Sequence, residues 1–583
     1  MVHPSKLAAT LTVDGKTSVP VEFSVGSGTG DTMVISLRSD QAVQTTGIYD
    51  WSMDIAATFE IDGEELQTTQ TISGRVPVVV RSDSMFGAGW NGAGVERLTS
   101  SNGALLYEYE DGSARIFDPS GNPGEYSSPD DFGIISYSPQ TGTYAYTGQD
   151  GTTRVFSTAS GYLQTVSDRH GQTITYNYDT SGRLNNVTDP DGRVATFTYL
   201  PGSARVHTIE QVGGRITTLN YDNDGRLLTM QLPDAGTKTF NYDTAGRLAG
   251  DQWGSDSATY TYDDRTGALR NIDRGGGTSA SYHASQEAGF GYAGGTNQVA
   301  SLSDVSGSSL DPLGQTTRQT FELANGQAAG LTQVEPGNLV SHWDYDNEGR
   351  TIGFTDPLSQ TTNYSYVPGT SLVDHLSRSD GSSVQFTYDP WKFNQVTQVT
   401  DGLNHTTSIT LNSQGDPLTI TDPELHTTTF DYQNGLLLSK TDALLHTTTY
   451  EYDSNHRLTK TTDPAGSVTL YGYDDAWNNT SITDPLNHVT TFKYDKMRRL
   501  VETVDAESAT TTYDYGNGAH RVSMTDPLGR RTDYGYDSLG RGYLISVTEA
   551  ANKTSPRTTL FGYDASGHVF AASVCLVRRL SSS

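Results

Sequence analysis

The chain has 583 residues, a formal net charge of -30 and a sequence pI near 4.6. That length exceeds one ordinary core, so several domains or one long repeat array are expected, and so acidic a surface repels phosphate backbones and anionic membranes, which argues against nucleic acid as a partner. The single cysteine, Cys575, rules out an internal disulfide framework, and no apolar run is long enough for a membrane-spanning helix.

The N-terminus, Met1-Val2-His3-Pro4-Ser5-Lys6, has no apolar core and does not read as a signal peptide. Either export uses another route or the true beginning lies elsewhere. Residues 1–82 hold alternating stretches such as Leu11-Thr12-Val13, Val19–Phe23 and Met33–Leu37, separated by turn residues. They predict a small β-sandwich-like domain. Residues 83–170 read as a bridge that starts near Phe86-Gly87-Ala88-Gly89-Trp90. Within it, Tyr107-Glu108-Tyr109 before Asp111-Gly112, and Tyr144-Ala145-Tyr146 before Asp150-Gly151, look like degenerate forms of the repeat that occupies the rest of the chain.

From 171 to 567 a tyrosine recurs about every 21 residues: Tyr178, Tyr199, Tyr221, Tyr242 and Tyr262, then Tyr345, Tyr366 and Tyr388, then Tyr432, Tyr452, Tyr473, Tyr494, Tyr515, Tyr536 and Tyr563. The register weakens across 270–310, which is rich in Gly, Ser and Ala. Asp442, Asp463, Asp484, Asp505 and Asp526 keep the same 21-residue beat. Each unit predicts a β-hairpin. The approach strand carries rings two apart, as in Tyr450/Tyr452 and Phe492/Tyr494, so both rings share one face. A turn comes next, such as Asp179–Arg183, Asp222–Arg226, Asp243–Arg247 and Asp537–Arg541. Its Asp folds back on the turn amides, and Gly182, Gly225, Gly246 and Gly540 supply positive φ. The return strand ends at an aspartate, often Asp-Pro as at Asp463, Asp484 and Asp526, where proline stops the ladder. Helices are expected to be nearly absent. The stretch 568–583 departs from the pattern and reads as a truncated or frame-shifted end.

The motif Tyr-Asp-x-x-Gly-Arg-Leu, followed by Asp-Pro and Thr-Thr-x-Tyr, resembles the YD repeat of RHS (rearrangement hot spot) proteins, which teneurins and the C component of insecticidal toxin complexes share. Phe86–Trp90 and Asp111–Phe117 resemble the segment preceding the repeats in bacterial RHS proteins. The resemblance covers roughly residues 83–567. It implies an all-β fold: a hairpin array forming a spiral antiparallel sheet and a hollow shell, which in the family often encloses a C-terminal toxin. RHS toxins end the shell with a Pro-rich, Gly-Gly-Asn, Tyr-containing core motif and release cargo by aspartate-based self-cleavage. Nothing after Tyr563 matches that motif, so neither self-proteolysis nor toxin activity is carried over to any residue here. The hairpin pattern by itself leaves a solenoid, a spiral shell and a flat ribbon open.

Other constellations read as structural. His405, His426, His446 and His488 each follow a turn aspartate by four residues. Equivalent residues of adjacent repeats stand roughly 10 Å apart, too far for one metal whose ligands lie within about 2.1 Å of it. Asp222/Asp224 and Asp189/Asp191 lack the spacing of a calcium loop, and Trp90 reads as a packing anchor. Gly-x-Ser-x-Gly, His-Glu-x-x-His and phosphate-loop motifs are missing. No catalytic residue, metal ligand or cofactor is therefore expected. The expectation is a non-enzymatic, extracellular or cell-surface shell serving as container, adhesin or assembly unit. Its rivals are an RHS toxin shell without its core and cargo, a glycan-binding adhesin using its rings, and a fibre subunit joined through open sheet edges. Enclosed polypeptide, surface glycan and further copies of the chain are the candidate partners.

Overall fold

A computed structural model of the chain describes residues 6–24, 43–61, 64–92, 94–129, 131–264, 267–275, 279–284, 289–290, 302–303, 305–311, 315–324, 327–518, 520–537, 542–563 and 568–576. Among them the fold is all-β, and the one helical element is a short 3-10 turn at Pro390–Lys392. No described helix is long and apolar enough to cross a membrane.

The N-terminal sheet is antiparallel and holds Lys6–Val13, Lys16–Thr17, Val21–Ser24, Gly47–Ile61 and Glu64–Val78. The last two strands pair along their whole length without a register shift. The alternating stretch Met33–Leu37 lies outside the described residues. Ile48 packs with Ala104 and Leu106 of the next segment. Arg75 holds Asp118 with two bonds of 2.7 and 2.6 Å.

Residues 97–167 do more than bridge. They form consecutive antiparallel strands from Arg97–Ser101 to Leu163–Ser167, and these close on themselves. Closure lies where Arg97 bridges to Tyr162 and the Leu98 N–H donates to the Gly161 carbonyl at 2.9 Å. Gly161 has φ +73°, and a Cβ there would stand 2.1 Å from the Leu98 carbonyl oxygen, so the closing point admits only glycine. Inside the ring Leu105, Tyr107, Phe117, Ile135, Phe156 and Leu163 are fully buried. The rings of the two degenerate units thus serve as core.

From Thr173–Tyr178 onward each strand of the strip pairs with its neighbours in sequence, through to Val569–Leu576. The zone at 270–310 does not break the sheet. Ser279–Ala284 pairs directly with Val305–Leu310, and the described part of the excursion between them is a small hairpin of Gly289–Phe290 and Leu302–Ser303.

The repeat that starts at Tyr452 shows the lock, made by three side chains. At the tyrosine the ladder slips by one residue: Glu451 faces Lys460, but Tyr452 faces Leu458. This is a β-bulge. The Tyr452 hydroxyl donates back to the Leu437 carbonyl at 3.0 Å, the main-chain group opposite the preceding tyrosine. Tyr178, Tyr199, Tyr221, Tyr242, Tyr366, Tyr388, Tyr473 and Tyr536 make the same bond at 2.6–3.0 Å. The aspartate caps the turn: Asp453 Oδ1 accepts from the Asn455 and Arg457 N–H groups at 2.9 and 3.0 Å, and Oδ2 accepts from Arg457 Nε at 2.7 Å. The Arg457 guanidinium then lies 5.2 Å over the next ring, Tyr473.

The turns that follow the tyrosine slot, many of them Tyr-Asp, thus lie at one edge of the strip and the Asp-Pro-type turns at the other. The strip coils so that a second pass lies on the first, with Arg350 over Phe132, His456 at Asp191 and His520 at Asp256.

Replacing Tyr452 by Phe removes one hydroxyl and leaves the Leu437 carbonyl unsatisfied. The expected loss is about 0.5–1.5 kcal/mol. It should appear as faster amide exchange across 437–458, whereas Tyr450→Phe leaves that segment unchanged.

Candidate functional site at the inner wall and the coil seam

The two faces of the strip differ in chemistry. Val166 and Tyr176 pack against the interior of the closed ring, so the tyrosine-bearing face is the inner one. The outer face carries cross-strand polar pairs: Lys460–Glu451 at 2.7 Å, Lys493–Glu502 at 2.6 Å, Asn177–Asn186 at 2.8 Å and Thr410–Thr419 at 2.7 Å. Burial pushes the phenols of Tyr178 and Tyr221 up, and that of Tyr199 to about 12.

A segment of the chain already occupies this inner wall. Met85, Phe86 and Trp90 pack on the cluster of Val206, Leu219, Leu227 and Phe240. Trp90 stands 4.8 Å from Phe240 and donates its indole N–H to the Tyr242 hydroxyl at 2.8 Å. The Met85 carbonyl accepts from Val206 N–H at 2.8 Å, and the Ala88 N–H donates to the Gly225 carbonyl at 2.9 Å. Gly87 has φ +111°, and a Cβ there would meet the Leu227 nitrogen at 3.0 Å. The Gly-rich spacing between Phe86 and Trp90 lets the backbone reach the wall.

The seam joins the Asp-Pro edge of the first pass to the Tyr-Asp edge of the second. His170 Nε2 meets Asp416 at 2.8 Å, with Arg169 at 3.4 Å from the same carboxylate. His456 Nδ1 meets Asp191 at 2.8 Å, and His520 Nε2 meets Asp256 at 2.9 Å. The Arg193 guanidinium lies 3.9 Å over Trp477. Arg215 Nε donates to the Lys496 carbonyl at 2.8 Å, and Arg499 to the Asp234 carbonyl at 2.8 Å. Burial opposes the charge on Asp416, yet bonds from Asn412 and His170 and the nearby Arg169 hold its carboxyl below the usual range.

The repeat markers occupy both edges. Tyr178, Tyr221, Tyr242, Tyr452, Tyr473 and Tyr536 make the hydroxyl bond to the preceding hairpin. Tyr345 faces Thr351 and Tyr494 faces Leu500 at the same bulge. Gly182, Gly225 and Gly246 have φ near +80° (77°, 76° and 81°); Gly540 lies outside the described residues. The carboxylates of Asp463, Asp484 and Asp526 accept two turn amides each. His405, His426, His446 and His488 each turn Nδ1 to their own Asp at 2.9–3.1 Å. They stand where other turns have arginine. Asp422, Glu424 and His426 bring ligand atoms within 4.8 Å of one another, yet the group is largely exposed. The Asp422 carboxylate is already taken by the backbone and ring of His426. Asp222, Asp224 and Asp189 are likewise engaged by Arg226 and Arg193. A buried polar network in the closed ring had no sequence signature: Tyr107 donates to Glu96 at 2.5 Å with Arg154 at 3.2 Å, and Tyr109 and Tyr146 donate to Asp131.

The RHS Repeat family model matches residues 430–468, 452–479 and 473–510, and the Teneurin YD-shell model matches residues 164–245. Over these stretches the chain carries repeats similar to the RHS repeat and to the teneurin YD-shell. No curated protein sequence matches it. Solved structures with some likeness include TcdB2-TccC3-TEV (13% identity, 89% of this chain, 34% of that chain, TM-score 0.37). The Photorhabdus luminescens Tc holotoxin pore is another (13%, 91%, 32%, TM-score 0.38). TcdB2-TccC3-Cdc42 is a third (14%, 91%, 33%, TM-score 0.38). The chain spans about a third of these chains' length. At these scores the likeness adds nothing to the assignment.

Because the Asp416 carboxyl titrates low when folded, its contribution is present above the ordinary carboxylate pKa of about 3.9 and lost as pH falls through the folded value. The melting-temperature difference between the wild type and Asp416→Asn should shrink as the pH is taken below about 3.9 and through the folded value. A difference that instead grows below about pH 3.9 contradicts this placement of the charge.

Proposed function

We propose that the chain is the wall of a non-enzymatic, extracellular or cell-surface shell that encloses an extended polypeptide. The observation that carries this reading is the Met85–Trp90 segment lying on the inner wall, held by ring packing and main-chain bonds. Other repeats also present ring pairs on that face, such as Phe386/Tyr388 and Phe430/Tyr432, on which an apolar segment of another polypeptide would pack. Three further features support a container. The outer face is polar, the seam seals consecutive passes, and the strip is closed at the 97–167 end. In this reading residues 1–82 form a separate β domain on the shell, 83–170 its closed end, 171–567 its wall and 568–583 a tail.

Cryo-electron microscopy of the purified chain tests the reading. The expected result is a curved, hollow particle with a wall one sheet thick. A flat ribbon or a filled globule rejects it.

A further inference from the structure

The strands Thr316–Ala324, Gln327–Glu335 and Leu339–Tyr345 bring four polar side chains together on the outer face. No sequence motif marks the group, because its members come from three strands and meet only through the hairpin pairing. Thr332 Oγ1 lies 3.1 Å from Glu322 Oε1 and 2.9 Å from His342 Nδ1. Glu322 Oε1 stands 3.7 Å from the same nitrogen. The other ring nitrogen, Nε2, is 3.1 Å from Asp344 Oδ1.

The ladder gives these carboxylates no cation. In the residue before the tyrosine slot the outer face elsewhere carries a matched pair: Glu451 faces Lys460, and Lys493 faces Glu502. Glu322 and Asp344 hold that same position, yet both face Gly330, and Asp344 faces Gly353 on its other side. Among the described residues His342 is the one ionisable partner of either carboxylate. The two glycines are a second, independent mark. A Cβ on Gly330 would stand 3.2 Å from Glu322 Oε2 and 3.3 Å from His342 Cε1, and one on Gly353 would stand 2.5 Å from Asp344 Oδ2. Neither glycine has a positive φ. They are there for the room they leave, and a glycine inside a strand often marks the close approach of a ligand.

We propose that Glu322, Thr332 and His342 hold a divalent cation of the zinc class, with Asp344 as the residue that positions the imidazole. Zinc takes nitrogen and oxygen donors at about 2.0–2.2 Å, which sets tetrahedral donors roughly 3.3 Å apart. The three donor separations of 2.9, 3.1 and 3.7 Å bracket that value. An imidazole in the set favours zinc over calcium or magnesium, which take oxygen donors. Asp344 stands to His342 as the carboxylate of a carboxylate–histidine–zinc triad: it holds the proton on Nε2 and leaves the Nδ1 lone pair for the metal. The imidazole is 30% exposed, so the ion reaches it from solvent and water completes the coordination. The ion would do mechanical work. Leu323 fills the tyrosine slot of its hairpin; the bulge is present, but there is no hydroxyl to reach back. A metal bridging three strands ties the strip at that gap, and it does so whatever the shell holds.

Isothermal titration calorimetry of the full chain with Zn²⁺ tests the proposal. The expected result is one tightly bound ion per chain above a weak background from the other acidic groups. His342→Ala and Glu322→Gln should abolish the tight class. Asp344→Asn should weaken it about 10–100-fold while the melting temperature of the metal-free chain stays level. His426→Ala, in the exposed turn group with Asp422 and Glu424, should leave it unchanged. Zn²⁺ should also slow amide exchange across 327–345 in the wild type and not in His342→Ala. Absence of a tight class, its survival in His342→Ala, its loss in His426→Ala, wild-type affinity in Asp344→Asn, one ion shared by two chains, or unchanged exchange across 327–345 would each overturn the proposal.

Discussion

A single hydrogen bond organises the array: the tyrosine hydroxyl donating to the main-chain carbonyl opposite the tyrosine of the preceding hairpin. It explains why the recurring residue is tyrosine and not phenylalanine, and why a bulge recurs beside it. The bulge keeps that carbonyl out of the ladder, and the hydroxyl satisfies it on the inner face. The Asp-to-Arg clamp works in the opposite direction, reaching from one turn to the ring of the next repeat. A hairpin that carries both, such as the one at Tyr452, is thereby tied to both neighbours in a quasi-one-dimensional array.

Coiling results from the same unit. A long open strip twists and leaves its edges to be managed. The chain manages the near end by closing eight strands into a ring around buried rings and leucines. It manages the long edges by laying turns on turns. Since turns, not strands, meet at the seam, the contacts are made by tip residues, and each pair is specific: imidazole to carboxylate, guanidinium to indole, guanidinium to carbonyl.

The period, the hairpins, the aspartate cap and the positive-φ glycines were legible in the sequence because they are local and repeat. The hydroxyl bond was not, because its acceptor is a backbone carbonyl that no residue type marks. Arg457 and its equivalents were visible in the motif, yet they read as turn residues, since their second contact lies in the next repeat. The seam was hidden for a different reason. His456 and Asp191 are far apart in sequence and share no spacing with His170 and Asp416, so only the pitch of the coil brings each pair together. The closed ring was hidden because its tyrosines follow the same alternation as the array, and what distinguishes it is Gly161 admitting the Leu98 carbonyl.

Winding of the strip into sealed passes underlies both the seam and the inner wall. Spin labels at Asp191→Cys and His456→Cys, in a Cys575→Ser background, measure it directly by double electron–electron resonance. A coiled strip predicts one narrow distance below about 30 Å, whereas the intervening repeats of an uncoiled strip, at roughly 10 Å each, would place the labels more than about 100 Å apart. A broad distribution, or no measurable distance, would contradict the coil.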